Sequence, residues 1–267
     1  MKKVLFINQE IAPFVPIDSE MSLMGKELPK VLNEQGNEIR TFMPRWGNIN
    51  ERRNQLHEVI RLSGINLIIN DTDHPLIIKV ASIPGTRVQV YFIDNVDFFS
   101  RRHTMAVDEK GAEYADNGER AIFFARGVLE TVKKLRWTPD VIHCQGWMSA
   151  VIPFYIKKAY NEEPCFADCK VVTSLFNNGM KGKLSEQFQQ CVEFGDARKE
   201  MLDGYKEVFD YNELAKLAID FSDGIVEGSE EVNPDLLSYA ASKNIPLLNY
   251  QGEECNGEAY NAFYESL

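Results

Sequence analysis

One pair of neighbouring residues could in principle supply a nucleophile and a base. His143 is followed directly by Cys144, and a thiol beside an imidazole is a common way to activate a nucleophile. Both residues end a short apolar segment that is typical of a buried strand, and neighbours on a strand point to opposite faces of the sheet. A direct Cys–His pair is therefore not expected. His143 is either a buried strand end or part of a binding site.

A cation and an aromatic ring lie side by side after another strand-like segment. Arg45 and Trp46 follow the apolar residues 39–43 directly. An indole face suits the C–H surface of a sugar ring, and an adjacent guanidinium can donate hydrogen bonds to oxygens. The same tryptophan would equally suit the hydrophobic core, and the sequence leaves both interpretations open.

Two further spacings suggest ligand binding only weakly. Cys165 and Cys169 are separated by three residues, but a structural zinc site needs four ligands and no second pair lies near, so free thiols are expected. Residues 179–183 read Gly-Met-Lys-Gly-Lys and follow a predicted strand, where α/β folds bind ligands. They lack the spacing of a phosphate-binding loop. Two interpretations stay open for this segment, contact with a ligand or a plain turn.

The elements that position these residues alternate between strand and helix. This order predicts one α/β domain over residues 1–248, with a Rossmann-like, mainly parallel sheet flanked by helices. Residues 67–93 form a β insert with turn signals at Asn70-Asp71 and Pro84-Gly85, and the second of these predicts a hairpin. Asp116 and Glu119 predict a capping box for a long helix, and residues 147–160 predict another helix. Further strands are predicted at Lys170–Leu175 and Gly224–Glu227. The polar tail, 249–267, carries aromatics at helical spacing and is expected to be helical.

Composition narrows the possible partners. The chain has 267 residues and a formal net charge of −11, from 29 Lys and Arg against 40 Asp and Glu. This balance argues against a nucleic-acid-binding surface, which needs clustered basic residues. No segment resembles a signal peptide or a membrane span, so no membrane partner is expected. Five scattered cysteines without an export signal predict a cytoplasmic protein with reduced thiols. No metal or cofactor requirement is visible.

Several different short motifs occur in a characteristic order and at characteristic spacing over residues 1–245. The first 45 residues form a strand–loop–helix–strand unit. Residues 114–120 contain an Asp-Asn-x-x-Arg helix start, residues 137–143 a Trp-x-Pro-Asp-x-x-His strand, and Trp147 falls on a tryptophan just after it. Together these motifs closely resemble the glycogen/starch synthase family of glucosyltransferases. The resemblance implies the N-terminal half of a GT-B fold and a role in cytosolic storage-glucan synthesis.

In that family two α/β domains face each other across the substrates. The reaction moves glucose from ADP-glucose or UDP-glucose to the end of an α-1,4-glucan, with the acceptor held mainly by the first domain and the donor mainly by the second. The resemblance here covers only the first domain. It implies a glucan partner and the candidate acceptor-side residues Arg45, Trp46, Asn117, His143 and Trp147, and it identifies no catalytic residue.

Three departures from the family pattern fall at positions that carry its chemistry. The loop Lys-Thr-Gly-Gly-Leu, which meets the donor phosphates, is replaced near residues 15–21 by Val-Pro-Ile-Asp-Ser-Glu-Met. The His-Asp-Trp stretch reads Gln145-Gly146-Trp147, and the Thr-Val-His-Asn stretch, residues 173–177, has lost its histidine. Added carboxylates would repel a diphosphate, whose departure needs aligned cations or N–H donors.

Two hypotheses of different classes follow. In the first, the chain is a glucosyltransferase that is impaired alone and works when a second chain, or a second copy of itself, supplies the donor half. In the second, it is a non-catalytic glucan-binding, regulatory or scaffold protein that keeps the fold without the chemistry. The altered loop and the missing histidine favour the second for the isolated chain.

Overall fold

A computed structural model describes residues 1–177 and 179–267 of the chain. It contains ten strands and seven α-helices in the described residues. The strands are β1 (Lys3–Asn8), β2 (Glu38–Pro44), β3 (His57–Glu58), β4 (Ile65–Ile69), β5 (Thr72–Ser82), β6 (Gln89–Asp94), β7 (Val141–Gln145), β8 (Lys170–Leu175), β9 (Gly224–Glu227) and β10 (Leu247–Leu248). The helices are α1 (Glu20–Glu34), α2 (Asn117–Leu135), α3 (Ile152–Lys158), α4 (Phe188–Cys191), α5 (Tyr211–Asp220), α6 (Pro234–Ser242) and α7 (Gly257–Ser266).

The strands form one mixed sheet in the order β10-β9-β8-β7-β1-β2-β6-β5-β3, and β4 pairs with β5. Strands β10 to β6 in this order are parallel, whereas β5 runs antiparallel to β6, β4 and β3. The predicted α/β class, with a mainly parallel sheet and a β insert, is confirmed. The core strands are buried almost throughout, as expected for a parallel sheet covered by helices on both faces.

The β insert consists of two consecutive hairpins. The predicted Pro84-Gly85 turn joins β5 to β6, and Gly85 has the positive φ of 75° that glycine adopts without steric cost. A second hairpin joins β4 to β5 through Asn70 and Asp71, which have φ values of 49° and 56°. Two successive residues with positive φ are typical of the type I′ turn. The sequence indicated a turn there without indicating a hairpin.

Two local predictions about helices are wrong. Asp116 precedes α2 but makes no side-chain capping bond, because its carboxylate pairs with the guanidinium of Arg102 instead. The helix predicted for residues 147–160 is interrupted: Trp147–Ser149 form a single 3-10 turn, and α3 begins only at Ile152. Pro153 lacks an N–H group and therefore fits the first turn of a helix rather than its interior.

The tail folds back onto its own domain. Helix α7 buries Tyr260, Phe263 and Tyr264 in a cluster that also contains Leu28 of α1 and Phe6 of β1. Within the tail predicted to be helical, α7 occupies Gly257–Ser266, and its aromatic face covers the same sheet face as α1. Helix α2 packs on the opposite face, where most of the apolar core lies. No helix in the described residues is long and apolar enough to cross a membrane.

Candidate functional site

The carboxyl edge of the sheet has a switch in strand order between β1 and β7. Chain order runs outward from β1 to β2 on one side and from β7 to β10 on the other. Three polar residues, Asn8, Gln145 and Ser174, lie side by side on β1, β7 and β8 at this edge. Ligands of open α/β sheets bind outside the carboxyl ends of the strands at such a switch. This edge is therefore the candidate site.

Gln9, the first residue after β1, fills the crevice at the switch point. Its backbone N–H donates to the carbonyl of Gln145 at 3.0 Å, and its side-chain Oε1 accepts from the Met148 N–H at 3.2 Å. The opposite wall is Gly146, with φ at 86°, where an added Cβ would lie 2.6 Å from the Cβ of Gln9. The loss of the family aspartate at this position thus coincides with a close backbone approach that only glycine permits.

Carboxylates surround the N-terminus of α1, which begins directly after the altered loop. Ser19 caps the helix: its Oγ accepts from the Ser22 N–H at 3.0 Å and donates to Glu10 Oε2 at 2.8 Å. Asp18 and Glu20 flank the cap in sequence. A helix N-terminus attracts anions, and here the chain's own carboxylates are already in place. Residues 9–20 contain no lysine or arginine.

The five residues predicted to face the acceptor are all buried. Trp46 and His143 have no exposed surface, and the other three expose between 2% and 8%, namely Asn117, Trp147 and Arg45. They do not form one cluster. Trp46 and Trp147 belong to the core on the α2 side of the sheet, whereas His143 points towards α7. Their role in glucan binding stays a prediction.

His143 is held between two hydroxyl groups. Its Nδ1 lies 2.7 Å from Tyr264 Oη, and its Nε2 lies 2.7 Å from Ser174 Oγ. Burial lowers the pKa of the imidazole to about 3, so the ring is neutral at pH 7. Cys144 points to the opposite sheet face, and burial raises the pKa of its thiol. The expectation that these neighbours do not pair is confirmed.

Arg45 is engaged in a charged network beside the edge. Its Nη2 lies 2.5 Å from Glu51 Oε1, which also lies 2.6 Å from Lys79 Nζ. Lys79 in turn contacts the buried carboxylate of Asp94 at 2.8 Å. Burial opposes ionisation of Glu51, but Lys79 and Arg45 outweigh it and hold the pKa of this carboxyl below its usual value. The guanidinium of Arg45 is thus paired internally.

The glycine- and lysine-containing loop after β8 binds a carboxylate from within the chain. The N–H groups of Lys181 and Gly182 donate to the two oxygens of Glu113 at 2.7 and 2.9 Å. An added Cβ on Gly182 would lie 2.5 Å from a Glu113 oxygen, so glycine permits this approach. Neither Gln9 nor Glu113 was identified from the sequence, because no spacing relates them to their distant partners.

The cysteines take no part in this site. All five are free thiols, and Cys165 and Cys169 form no disulfide in the structure. In the part of the chain that the structure describes, no group of three or more His, Cys, Asp or Glu side chains is arranged to hold a metal ion.

Comparison with protein families and curated proteins gives a consistent result. Residues 3–246 match the model of the starch synthase catalytic domain. A glycogen synthase of Chlorobium limicola is 37% identical over 182 residues, which cover 68% of this chain and 37% of that protein. A glycogen synthase of Chlorobaculum parvum is 32% identical over 222 residues, covering 83% of this chain and 44% of that protein. The chain therefore spans about two fifths of the length of these curated relatives.

The fold agrees with a solved structure of the same type. The catalytic domain of starch synthase IV from Arabidopsis thaliana, solved bound to ADP and acarbose, superposes with a TM-score of 0.75 at 17% identity. The match covers 93% of this chain and 51% of that chain. It confirms the predicted fold, one half of a GT-B arrangement.

Proposed function

The chain belongs to the starch synthase catalytic domain family, and from this membership we propose that it binds α-glucan in cytosolic storage-glucan metabolism without transferring glucose by itself. The curated relatives described above are glycogen synthases, whose reaction needs a glucan acceptor and a nucleotide-sugar donor. We infer that this chain keeps the acceptor function and lacks the donor function.

The surroundings of the α1 N-terminus carry this proposal. Glu10 accepts a hydrogen bond from the capping Ser19, and Asp18 and Glu20 add two further carboxylates to the same segment. A diphosphate leaving group carries negative charge that must be balanced by cations or by N–H donors. Carboxylates at this point repel it. The paired guanidinium of Arg45 and the occupied N–H groups of Lys181 and Gly182 supply no substitute.

A second candidate function is a glucosyltransferase that is complete only in an assembly. The family match extends over almost the whole chain and supports a role in the family reaction. In this alternative a second chain, or a second copy, supplies the donor half. The acceptor-side residues would remain those predicted from the sequence, namely Arg45, Trp46, Asn117, His143 and Trp147.

Isothermal titration calorimetry with maltoheptaose and, separately, with ADP-glucose tests the proposal. Binding of maltoheptaose without binding of ADP-glucose is the expected result. Binding of ADP-glucose, or glucan elongation by the purified chain, would overturn it. Elongation that appears only together with a co-purifying protein would favour the assembly.

A further inference from the structure

A small cavity lies between the N-terminus of α1, the glycine that follows β9, and the tail. Its volume is about 10 Å³, which is room for about one group of the size of a water molecule. The lining combines the carboxylates of Glu20 and Glu253 with the side chains of Met24, Cys255 and Tyr260. None of the five residues predicted to face an acceptor glucan lines this cavity.

The hydroxyl group of Tyr260 is available to a ligand in this cavity. The side chain of Tyr260 is only 2% exposed, and its Oη has no hydrogen-bond partner among the described residues. By contrast, the Oη of Tyr264, one helical turn later, lies 2.7 Å from His143 Nδ1. Buried hydroxyl groups in folded proteins normally have a partner, so the unpaired Oη of Tyr260 indicates that this cavity receives a polar group.

The two carboxylates of the cavity are not neutralised by cations of the described residues. Glu20 accepts a hydrogen bond from a backbone N–H at 3.3 Å, and Glu253 lies within ion-pair distance of no described Lys or Arg. The first two lysines of α1, Lys26 and Lys30, both pair with Glu27, at 2.8 and 3.1 Å. The negative charge at the cavity is therefore uncompensated.

The three chain segments that meet at the cavity carry the whole net charge of the protein. Residues 9–25, 224–242 and 244–267 contain 11 Asp and Glu and no Lys or Arg. The other 29 acidic residues equal in number the 29 Lys and Arg of the chain, whose net charge is −11. Such a one-sided distribution creates a negative potential, which attracts cations from a distance.

The chemistry of the lining favours an ammonium group over other cations. An alkylammonium group has three N–H donors, and the two carboxylates and the Tyr260 hydroxyl offer acceptors for them. The rings of Tyr250 and Tyr260 both line the cavity, and aromatic faces attract ammonium groups. A guanidinium group is planar and less compact. In the described part of the chain, no group of three or more His, Cys, Asp or Glu is arranged to hold a metal ion.

We propose that this cavity binds a primary ammonium group of a polycationic ligand. Glu20, Glu253 and the Tyr260 hydroxyl accept its N–H groups, and the acidic segments around the cavity attract the further positive charges of the same ligand. A free polyamine and a lysine-rich segment of a partner protein both carry this group. The inference does not depend on the proposed function, because it concerns neither the glucan nor the nucleotide sugar.

Isothermal titration calorimetry of the full chain at low ionic strength tests the cavity, with spermidine and a capped trilysine peptide as probes. Tighter binding of spermidine identifies a free polyamine as the ligand, and tighter binding of the peptide identifies a protein segment. A peptide with trimethylated lysines keeps the charge but has no ammonium N–H, so its Kd should be at least about tenfold higher than that of trilysine. Equal affinity of the two peptides, or no binding of either probe, would overturn the site.

A pair of matched variants locates the ammonium group. Glu253→Gln/Tyr260→Phe removes one carboxylate and one hydroxyl from the cavity, and we expect the Kd of the tighter probe to rise at least about tenfold. The control Glu265→Gln/Tyr239→Phe makes the same chemical changes at residues that do not line the cavity, and it should bind like the wild type. Thermal unfolding of both variants verifies that they fold.

Two further outcomes are decisive. An equal loss of affinity in the two variants would show that net charge alone attracts the probes and would overturn the cavity. The methyl resonance of Met24 gives a second readout, because this side chain lines the cavity and its chemical shift should move when the wild type is titrated. A Met24 resonance that is unchanged at saturation would also overturn the proposal.

Discussion

The guanidinium of Arg120 lies over the indole ring of Trp46, with 5.2 Å between Cζ and the ring centre. The same group donates hydrogen bonds to Asn117 Oδ1 and to the carbonyls of Phe98 and Met105 at 2.8 to 2.9 Å. Arg120 is fully buried. Trp46 and Asn117, both predicted to face a glucan, are thus held by a buried cation, and this contact gives each of them a structural role.

Replacing Arg120 should destabilise the fold strongly. In Arg120→Met three buried oxygens lose their donor, and we expect a loss of about 3 kcal/mol in the free energy of unfolding. Urea denaturation measures it. The control Arg61→Met alters an exposed arginine and should change stability by about 0.5 kcal/mol or less. A similarly small effect of Arg120→Met would contradict the structural role.

The buried imidazole of His143 should make stability depend on pH. Its pKa in the folded chain is about 3, against an ordinary value of 6.5. At pH values between these two, the unfolded chain binds a proton at His143 that the folded chain does not bind. The stability that depends on the neutral imidazole is therefore fully present above pH 6.5 and is lost as the pH falls towards 3. From pH 7 to pH 5 the loss is about 2 kcal/mol.

The variant His143→Gln isolates this contribution. It should be less stable than the wild type at pH 7, because the hydrogen bonds with Ser174 and Tyr264 change. The difference in unfolding free energy between the two proteins should narrow by about 2 kcal/mol between pH 7 and pH 5. A constant difference at both pH values would show that the imidazole is not buried in its neutral form.

The carboxylate of Glu113 should hold the loop after β8 in place. In Glu113→Ala the N–H groups of Lys181 and Gly182 lose their acceptors, and we expect their hydrogen exchange to accelerate roughly tenfold. Overall stability should fall by about 1 kcal/mol. The control Glu109→Ala removes an exposed carboxylate of the same connecting segment. If both variants exchange at the wild-type rate, the contact does not order the loop.

Restoring the family loop should not restore transfer under the proposed function. We replace residues 16–20 with Lys-Thr-Gly-Gly-Leu and expect maltoheptaose binding to remain, without ADP-glucose binding or glucan elongation. Gln9 lies outside the replaced segment and still accepts a hydrogen bond from the Met148 N–H across the crevice in this variant. Loss of the Ser19 cap should cost about 1 kcal/mol or less. A measurable elongation rate would contradict the proposal and indicate that the loop alone had blocked activity.

Several elements were predictable because local signals sufficed. The predicted strands Lys170–Leu175 and Gly224–Glu227 agree with the structure to the residue, since each is a short apolar run bounded by turn residues. The predicted helix cap at Asp116 is wrong because Arg102, 14 residues away in sequence, pairs with its carboxylate. The pairing of β4 with β5 across the Asn70-Asp71 turn was not predicted, because a turn signal does not specify which strands pair.

By itself the sequence determined the order of strands and helices, the α/β class and the family, because these depend on local periodicity and on the spacing of motifs along the chain. The tertiary structure alone decided which side chains reach the surface. Trp46 and His143 are buried by residues more than 70 positions away, Arg120 in one case and Tyr264 in the other. Burial depends on such long-range packing, which no local pattern encodes.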